Sequence, residues 1–262
     1  LGLMAWSWDT IEDLVFARYD DAGSMVGSVV ELTDGAEPPG HAGAALAWTG
    51  SEFVGIGVTG GASSQTQRYF RIDAEGVVQA ETSWDVPGGE INSLQVMWTG
   101  SETAAFWTDM RGGPESVYMA RINLDGVKVA EDQRLTEMEL SDLLTDVAWT
   151  GSEFAMTWQT HTGSEELSKF TRLDRFGARL GTEISADGQL AWTGSEFLIL
   201  NGEGFYSRVG ADGELYILEE GAQIPPETMG VEFFDVTWVG DGLAVFVGQA
   251  GSFKIFKLKY CF

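Results

Sequence analysis

The sequence predicts an all-β chain of repeated four-stranded antiparallel sheets, on the strength of two interleaved motifs. The first motif reads AWTGSEF or a close variant, at 47–53, 97–103, 148–154, 191–197 and 237–243. Its tryptophans are 50, 51, 43 and 46 residues apart. The second motif is an Arg with a Gly five positions later, as in RIDAEG from Arg71 and RLDRFG from Arg172. Two motifs that share one period indicate a repeat architecture.

Each repeat contains four short stretches in which apolar and polar residues alternate, the pattern of β-strands. In the third unit they are LQVMW (94–98), TAAFWT (103–108), VYMARIN (117–123) and VKVAEDQRL (127–135). Glycines occupy the tight turns between them, where a positive φ is expected. ELSDLL at 139–144 is expected to be a loop. Four antiparallel strands in each repeat of 40–50 residues are typical of a β-propeller blade.

Loop lengths indicate the strand order and the blade number. The WTGSE and RxxxxG turns (the constant turns) have nearly fixed lengths, whereas the other two connections (the variable loops) differ widely. We therefore expect the WTG strand innermost and the variable loops together on one face. A count of 22 strands favours six blades over five, with the first and last incomplete and a missing strand before Leu1. The expected repeat units of this single domain are 1–43, 44–92, 93–143, 144–187, 188–232 and 233–262.

The chain resembles bacterial β-propeller repeat proteins with the pattern W-T/N-G-S-x-F, W-x-D-x-R-x-G and I/V-Y-x-x-R-L-D-x-x-G. The third unit keeps Trp98, Gly100, Ser101, Trp107, Asp109, Arg111, Gly112, Val117, Tyr118, Arg121 and Gly126. The other units keep the WTG and RxxxxG parts, and the first keeps only the second part. The resemblance implies a propeller fold, and such repeats occur mostly in uncharacterised secreted or surface proteins.

Composition excludes several classes of function. Forty acids against fifteen bases give a net charge of −25, which would repel the phosphates of a nucleic acid. No apolar run reaches the length of a transmembrane helix. A single cysteine, Cys261, excludes an internal disulfide and a cysteine-based zinc site. The acidity, the 34 glycines and the near absence of cysteine predict an extracellular or cell-envelope location.

The repeated residues are interpreted as structural. The WTG tryptophans, expected in the core, are Trp48, Trp98, Trp149, Trp192 and Trp238. The repeated arginines are Arg18, Arg71, Arg121, Arg172 and Arg208. An anion-binding ring is one reading of these arginines. Pairing with the repeated glutamates is the favoured one, because Arg–carboxylate pairs are geometric fixtures. Those glutamates are Glu52, Glu102, Glu153 and Glu196.

Ligand-binding residues are predicted in the variable loops, because loops on a rigid scaffold carry binding sites. The loop face is expected to comprise 9–13, 33–43, 60–67, 85–92, 109–116, 136–143, 160–168 and 220–230. Asp109, Arg111, His161 and Glu165 are the candidates, since they occupy corresponding loops of successive units. Trp107 and Trp158 are candidate sugar-stacking platforms or, alternatively, core residues.

These observations predict a non-catalytic binding or scaffold module that presents acidic loops to a protein or glycan. Counted over all variable loops, from 9–13 through 248–252, there are 18 acids and one base, Arg111. They match no known calcium loop, so a bound Ca²⁺ would need ligands from several loops. No catalytic motif is found and no other cofactor is expected. The alternatives are a glycan hydrolase that uses loop carboxylates and a structural subunit that assembles through open blade edges.

Overall fold

The structure is a computed structural model in which most of the chain is described. The described residues are 2–6, 13–20, 24–33, 39–61, 64–87, 90–111, 113–137, 139–186, 188–201, 206–219, 233–240, 242–249 and 252–259. They contain 22 strands in six antiparallel sheets. The chain is therefore all-β, with the four-stranded antiparallel sheet predicted from the repeat.

The strands follow one another along each sheet in chain order. The first sheet contains β1 (Gly2–Trp6), β2 (Leu14–Tyr19) and β3 (Met25–Glu31). The second contains β4 (Pro39–Trp48), β5 (Glu52–Gly61), β6 (Ser64–Asp73) and β7 (Val78–Pro87). The third contains β8 (Asn92–Trp98), β9 (Thr103–Asp109), β10 (Ser116–Ile122) and β11 (Gln133–Arg134).

The remaining sheets repeat this plan. The fourth contains β12 (Ser141–Trp149), β13 (Glu153–His161), β14 (Glu166–Asp174) and β15 (Arg179–Ser185). The fifth contains β16 (Gln189–Trp192), β17 (Glu196–Leu200), β18 (Tyr206–Gly210) and β19 (Leu215–Glu219). The sixth contains β20 (Phe233–Trp238), β21 (Gly242–Gln249) and β22 (Ser252–Lys259).

The chain divides into two compact units, Leu1–Leu143 and Leu144–Phe262. In the first unit, apolar residues fill the space between consecutive sheets: Phe16 and Phe53 contact between the first and second sheets, at 5.2 Å between ring centroids. In the second unit, Phe170 and Phe197 make the corresponding contact between the fourth and fifth sheets, at 5.6 Å. The core thus lies between sheets, where each sheet buries a face that it cannot bury alone.

The predicted turn glycines have the expected conformation. Gly76, Gly126, Gly177 and Gly213 have φ of 92°, 76°, 87° and 90°, in the left-handed region that favours glycine. Three of them also lie against a side chain of the preceding sheet. A Cβ on Gly126 would lie 2.2 Å from Oγ1 of Thr82, and one on Gly213 would lie 3.4 Å from Arg172. These turns therefore need glycine for both backbone conformation and close packing.

The WTGSE turns are closed by their threonine. In the second sheet the backbone N–H of Thr49 donates to the carbonyl oxygen of Glu52, and the N–H of Glu52 donates to Oγ1 of Thr49, at 2.9 and 3.0 Å. The same bonds recur at Thr99, Thr150 and Thr193. The hydroxyl satisfies an otherwise unpaired donor, which fixes the turn locally.

Two strand predictions in the third and fourth units were wrong. The predicted strand 127–135 is reduced to β11 (Gln133–Arg134), preceded by an isolated bridge at Lys128. Asp132, within this segment, bonds to side chains rather than continuing the ladder. The expected loop at 139–144 is a strand from Ser141 onward, because β12 extends to 141.

Candidate functional site

The repeated arginines bind the repeated glutamates. In the second sheet, Arg71 lies directly opposite Val54, and Glu52 is two residues before Val54 on the same face. The pair is thus a diagonal neighbour pair across two strands. Nε and Nη2 of Arg71 donate to the two carboxylate oxygens of Glu52, each at 3.0 Å. This bidentate bond raises the pKa of Arg71.

The same bidentate pair recurs in three further sheets. Its members are Arg121–Glu102, Arg172–Glu153 and Arg208–Glu196, with distances of 2.7 to 3.0 Å. In every case Nε and Nη2 are the donors. The predicted pairing is therefore present, and these four arginines have their carboxylate-binding edge occupied within their own sheet.

The WTG tryptophans do not form the core, contrary to expectation. Trp48 is 46% exposed, and Trp98, Trp149, Trp192 and Trp238 are half-buried. Each stands at the end of its strand, directly before a constant turn. In three sheets its ring covers the Phe at the second position of the next strand, as in Trp149–Phe154 with 4.4 Å between centroids. The Phe is the buried partner, and the indole shields it from solvent.

The second set of tryptophans supplies the core instead. Trp107 and Trp158 are fully buried. A sugar can stack only on an exposed ring face, so neither is a stacking platform in this conformation. In the second sheet the corresponding position is Gly57, where a Cβ would lie 2.2 Å from the side chain of Leu14 in the first sheet. The residue at this position therefore varies with the volume that the neighbouring sheet leaves. The side chain of Trp6 lies outside the described residues.

Asp109 and Arg111 form one buried cluster. Asp109 is fully buried and accepts hydrogen bonds from Trp107 Nε1 at 3.1 Å and from Nε of Arg111 at 2.5 Å. Arg111 donates through Nη1 to Asp132 at 2.8 Å, and Lys128 binds the other oxygen of Asp132 at 2.7 Å. Two carboxylates thus face two cations.

Aromatic rings hold the cationic side of this cluster. The Arg111 guanidinium lies 4.7 Å from the Tyr118 ring and 5.6 Å from the Trp107 ring. Lys128 lies 5.2 Å from the ring of Trp84, in the second sheet. Burial lowers the pKa of Arg111, but Asp132 and Asp109 outweigh it and raise that pKa. The arrangement fixes Asp109 and Arg111 against the third sheet. The carboxylate of Asp109 is buried and bound by Trp107 and Arg111, so it is not exposed to a ligand.

His161 and Glu165 belong to the second compact unit, whereas Asp109 and Arg111 belong to the first. Nδ1 of His161 lies 3.5 Å from Oε1 of Glu166, its partner across β13 and β14. Glu165 ends the turn 162–165, where its N–H donates to Oγ1 of Thr162 at 3.1 Å. The sequence T-G-S-E at 162–165 repeats the WTGSE turn, a signal that the sequence analysis treated only as a variable loop.

Asp146 is a buried carboxyl that the sequence analysis missed. Its Oδ1 accepts a hydrogen bond from the N–H of Val147, and its Oδ2 accepts one from the N–H of Leu190 on β16, both at 2.7 Å. It thereby links the first strands of the fourth and fifth sheets. Burial, together with the charge of Asp235, raises the pKa of Asp146 to about 8. The available signal was an Asp three residues before the WTG tryptophan at 146 and 235.

A groove of about 520 Å³ lies in the first compact unit, beside the constant turns. Its lining includes Arg18, Tyr19, Leu46, Trp48 and Phe53. The ring of Trp48 is 4.6 Å from that of Phe53 and is the most exposed of the WTG tryptophans. The groove thus offers a broad apolar surface with one guanidinium.

The part of the chain that the structure describes contains no group of three or more His, Cys, Asp or Glu arranged to hold a metal ion. It likewise contains no helix long and apolar enough to span a bilayer.

Comparison with known proteins supports the fold alone. No protein-family model matches the chain, and no curated protein matches its sequence. Among solved structures, it is similar to a subtype N11 neuraminidase-like protein of A/flat-faced bat/Peru, with a TM-score of 0.61 and 11% identity over 98% of this chain and 81% of that one. It is also similar to the polysaccharide lyase Uly1, with a TM-score of 0.50 and 13% identity over 79% of this chain. The chain spans 56% of the length of that lyase. Both neighbours are propeller-like.

Proposed function

We propose that this chain is a non-catalytic binding module of a secreted or cell-surface protein, built as a six-bladed β-propeller. Its acidic variable loops would meet a protein partner with a basic surface. The six antiparallel sheets and the propeller-like neighbours support the fold part of this proposal. The remaining support comes from how the chain uses its charges.

The polar groups that recur in every repeat are bound to other groups of the same repeat. Four repeated arginines are bound bidentately by glutamates of the same sheet, and the threonines of the WTGSE turns are bound within their turns. Groups engaged in this way gain little by turning to a ligand, since each would leave a partly buried partner unpaired. The constant part of each repeat therefore serves the fold, which favours the variable loops as the binding surface.

One observation carries the choice of partner. Arg111, the one base among 18 acids of the variable loops, is held between Asp109 and Asp132. Its charge is thereby balanced within the cluster, and the variable loops contain no other Lys or Arg to offset their remaining acids. A surface of one sign attracts partners of the opposite sign and accelerates their association. A Lys- and Arg-rich protein surface fits this chemistry.

The experiment compares two double variants with equal net charge. Glu137→Lys/Glu139→Lys reverses two exposed acids of loop 136–143, and Glu75→Lys/Asp125→Lys reverses two exposed acids of the constant turns. An octalysine peptide is the probe, titrated at low and physiological salt. We expect the loop variant to bind it more weakly than the turn variant, with a shallower salt dependence. Equal loss in both variants would show that the effect is net charge rather than the loop face.

A glycan is the second class of partner to test, because two fold neighbours are named a polysaccharide lyase and a neuraminidase-like protein. A glycan array probed with and without Ca²⁺ covers this class. Saturable glycan binding that the loop variant loses would replace the basic protein with a glycan as the partner of the loop face. Release of reducing sugar from an array glycan would show that the chain is a glycan hydrolase and would contradict a non-catalytic function.

A further inference from the structure

Within the described residues of the first compact unit, two large apolar side chains stand exposed in the variable loops. Met110 is 44% exposed and Leu140 is 39% exposed. Exposed apolar residues that lie scattered over a surface are ordinary and need no explanation. The question is therefore whether the fold brings these two to one surface.

The end of a hairpin places Met110 beside Glu115. Asp109 on β9 lies directly opposite Ser116 on β10, and Met110 and Glu115 are the next residues beyond this pair. Residues placed in this way are near neighbours across the hairpin. The backbone N–H of Arg111 donates to Oδ1 of the buried Asp109 at 2.6 Å. The chain is thus fixed on both sides of Met110.

Glu115 also joins the loop of Met110 to the loop of Leu140. Its carbonyl oxygen accepts a hydrogen bond from the N–H of Asp142 at 2.8 Å, and its Oε2 accepts one from Oγ of Ser141 at 2.5 Å. Leu140 directly precedes Ser141. The connection from Met110 to Leu140 therefore passes through a single glutamate. The two side chains, with Glu115 between them, belong to one surface, the Met110–Leu140 patch.

Acidic side chains border this patch. Glu137 and Glu139 are exposed and lie just before Leu140. Arg111, the base of these loops, is already bound to two carboxylates. A partner that fits the patch needs apolar side chains to cover it and cations to meet the acids. A second copy of this chain does not fit, because its own loops carry the same negative charge.

We propose that the Met110–Leu140 patch binds a basic segment of the protein partner through aliphatic side chains set between lysines or arginines. This binding mode rests on the proposed function and adds apolar anchors at a defined place on the loop face. Methionine adapts its shape to an incoming side chain, and protein interfaces have an apolar core inside a polar rim. Because Glu115 already joins the two loops, the patch loses little conformational freedom when the segment binds.

The test is calorimetric titration of the full chain with two peptides of equal charge, KKKLKKLKKK and KKKSKKSKKK, at about 150 mM NaCl. We expect the leucine peptide to bind about tenfold more tightly, because its leucines and the two exposed side chains of the patch leave water together. At about 300 mM NaCl both peptides should bind more weakly and the ratio of their affinities should persist, since salt screens charges and not apolar contacts.

Serine variants test whether the preference belongs to the patch. Met110→Ser/Leu140→Ser should reduce the affinity for the leucine peptide to that for the serine peptide. It should leave binding of the serine peptide unchanged, which also shows that the variant is folded. Val77→Ser/Val127→Ser is the matched control, because both valines are 56% exposed in constant turns of the same compact unit. This control should leave both affinities unchanged.

Three results would overturn the proposal: equal affinity of the wild type for both peptides, a leucine preference that survives Met110→Ser/Leu140→Ser, or an equal loss of that preference in the valine control. Glu137→Lys/Glu139→Lys separates failure of the patch from failure of the proposed function, because it should weaken both peptides and leave their ratio in place. If it weakens both while the wild type shows no leucine preference, the apolar anchors are wrong and the proposed function stands. If it weakens neither, the proposed function fails and the patch fails with it.

Discussion

A glycine of a WTGSE turn and a glycine of an RxxxxG turn should differ in how much stability the chain loses when each is replaced by alanine. Gly100 and Gly126 lie in the third sheet's two constant turns, with φ of 92° and 76°. A Cβ at 100 would meet nothing within 4 Å, whereas one at 126 would lie 2.2 Å from Oγ1 of Thr82 and 2.9 Å from Cδ1 of Tyr69. Both alanine variants therefore carry backbone strain, and only the second also collides with the second sheet.

The magnitudes follow from these contacts. A left-handed alanine costs about 1–2 kcal/mol, which is the whole effect expected for Gly100→Ala. Gly126→Ala adds about 1–3 kcal/mol for overpacking. It also disturbs the hydrogen bond from Thr82 Oγ1 to the Gly126 carbonyl oxygen, 3.1 Å long, for about 1 kcal/mol. Gly126→Ala should therefore be the less stable variant by about 2–4 kcal/mol.

The assay is urea unfolding followed by circular dichroism, and the comparison is direct because both glycines lie in the compact unit Leu1–Leu143. Thr82→Ala provides the internal check, since it removes the atom nearest to the new Cβ. In a double-mutant cycle, Gly126→Ala should cost less on the Thr82→Ala background than on the wild type. Equal free energies of unfolding for Gly100→Ala and Gly126→Ala would refute the close-packing argument.

Three further predictions concern a buried carboxyl, an ion pair and the tryptophans. Burial raises the pKa of Asp146 to about 8, so the folded chain keeps a proton that the unfolded chain releases above about pH 4. Stability should fall as pH rises from about 4 to 8, by up to about 1 kcal/mol per unit, and less steeply in Asp146→Asn; parallel urea titrations at pH 5 and 8 measure this. Arg172→Gln should cost about 1–3 kcal/mol by leaving Glu153 unpaired, and the double variant with Glu153→Gln should recover part of that; strict additivity would contradict the pair. Trp107→Ala should lower the free energy of unfolding by about 3–5 kcal/mol and Trp149→Ala by clearly less. If thermal unfolding showed Trp149→Ala to be the less stable variant, the motif tryptophans would have to be core residues after all.

Features that depend on local geometry were predicted from the sequence. A Gly five residues after the repeated Arg must close a tight turn whatever surrounds it, and Gly76 and Gly177 do so with positive φ. The Arg–Glu pairs were also predictable, because a residue and its diagonal neighbour on the next strand are fixed by the hairpin register, as in Arg121 and Glu102. Turn and register chemistry need no knowledge of the rest of the fold.

Features that depend on the neighbouring sheet were not predicted. The recurrence of a tryptophan in every WTG motif did not reveal that its indole stands at a strand end. Trp48, for example, covers Phe53 from the solvent side. The buried carboxyl of Asp146 bonds to Leu190, 44 residues away and on another sheet. The length of β11 depends on Asp132, whose partners Arg111 and Lys128 lie outside that strand. Each outcome is decided by packing between sheets, which a repeat pattern does not contain.

Equivalent positions in different sheets do not all satisfy the same polar group. In the third sheet Trp107 Nε1 donates to Asp109, whereas in the fourth sheet Thr160 stands at the position of that Asp and Trp158 Nε1 is buried with no partner among the described residues. That departure leaves a donor that no ligand can reach, so its consequence is confined to stability.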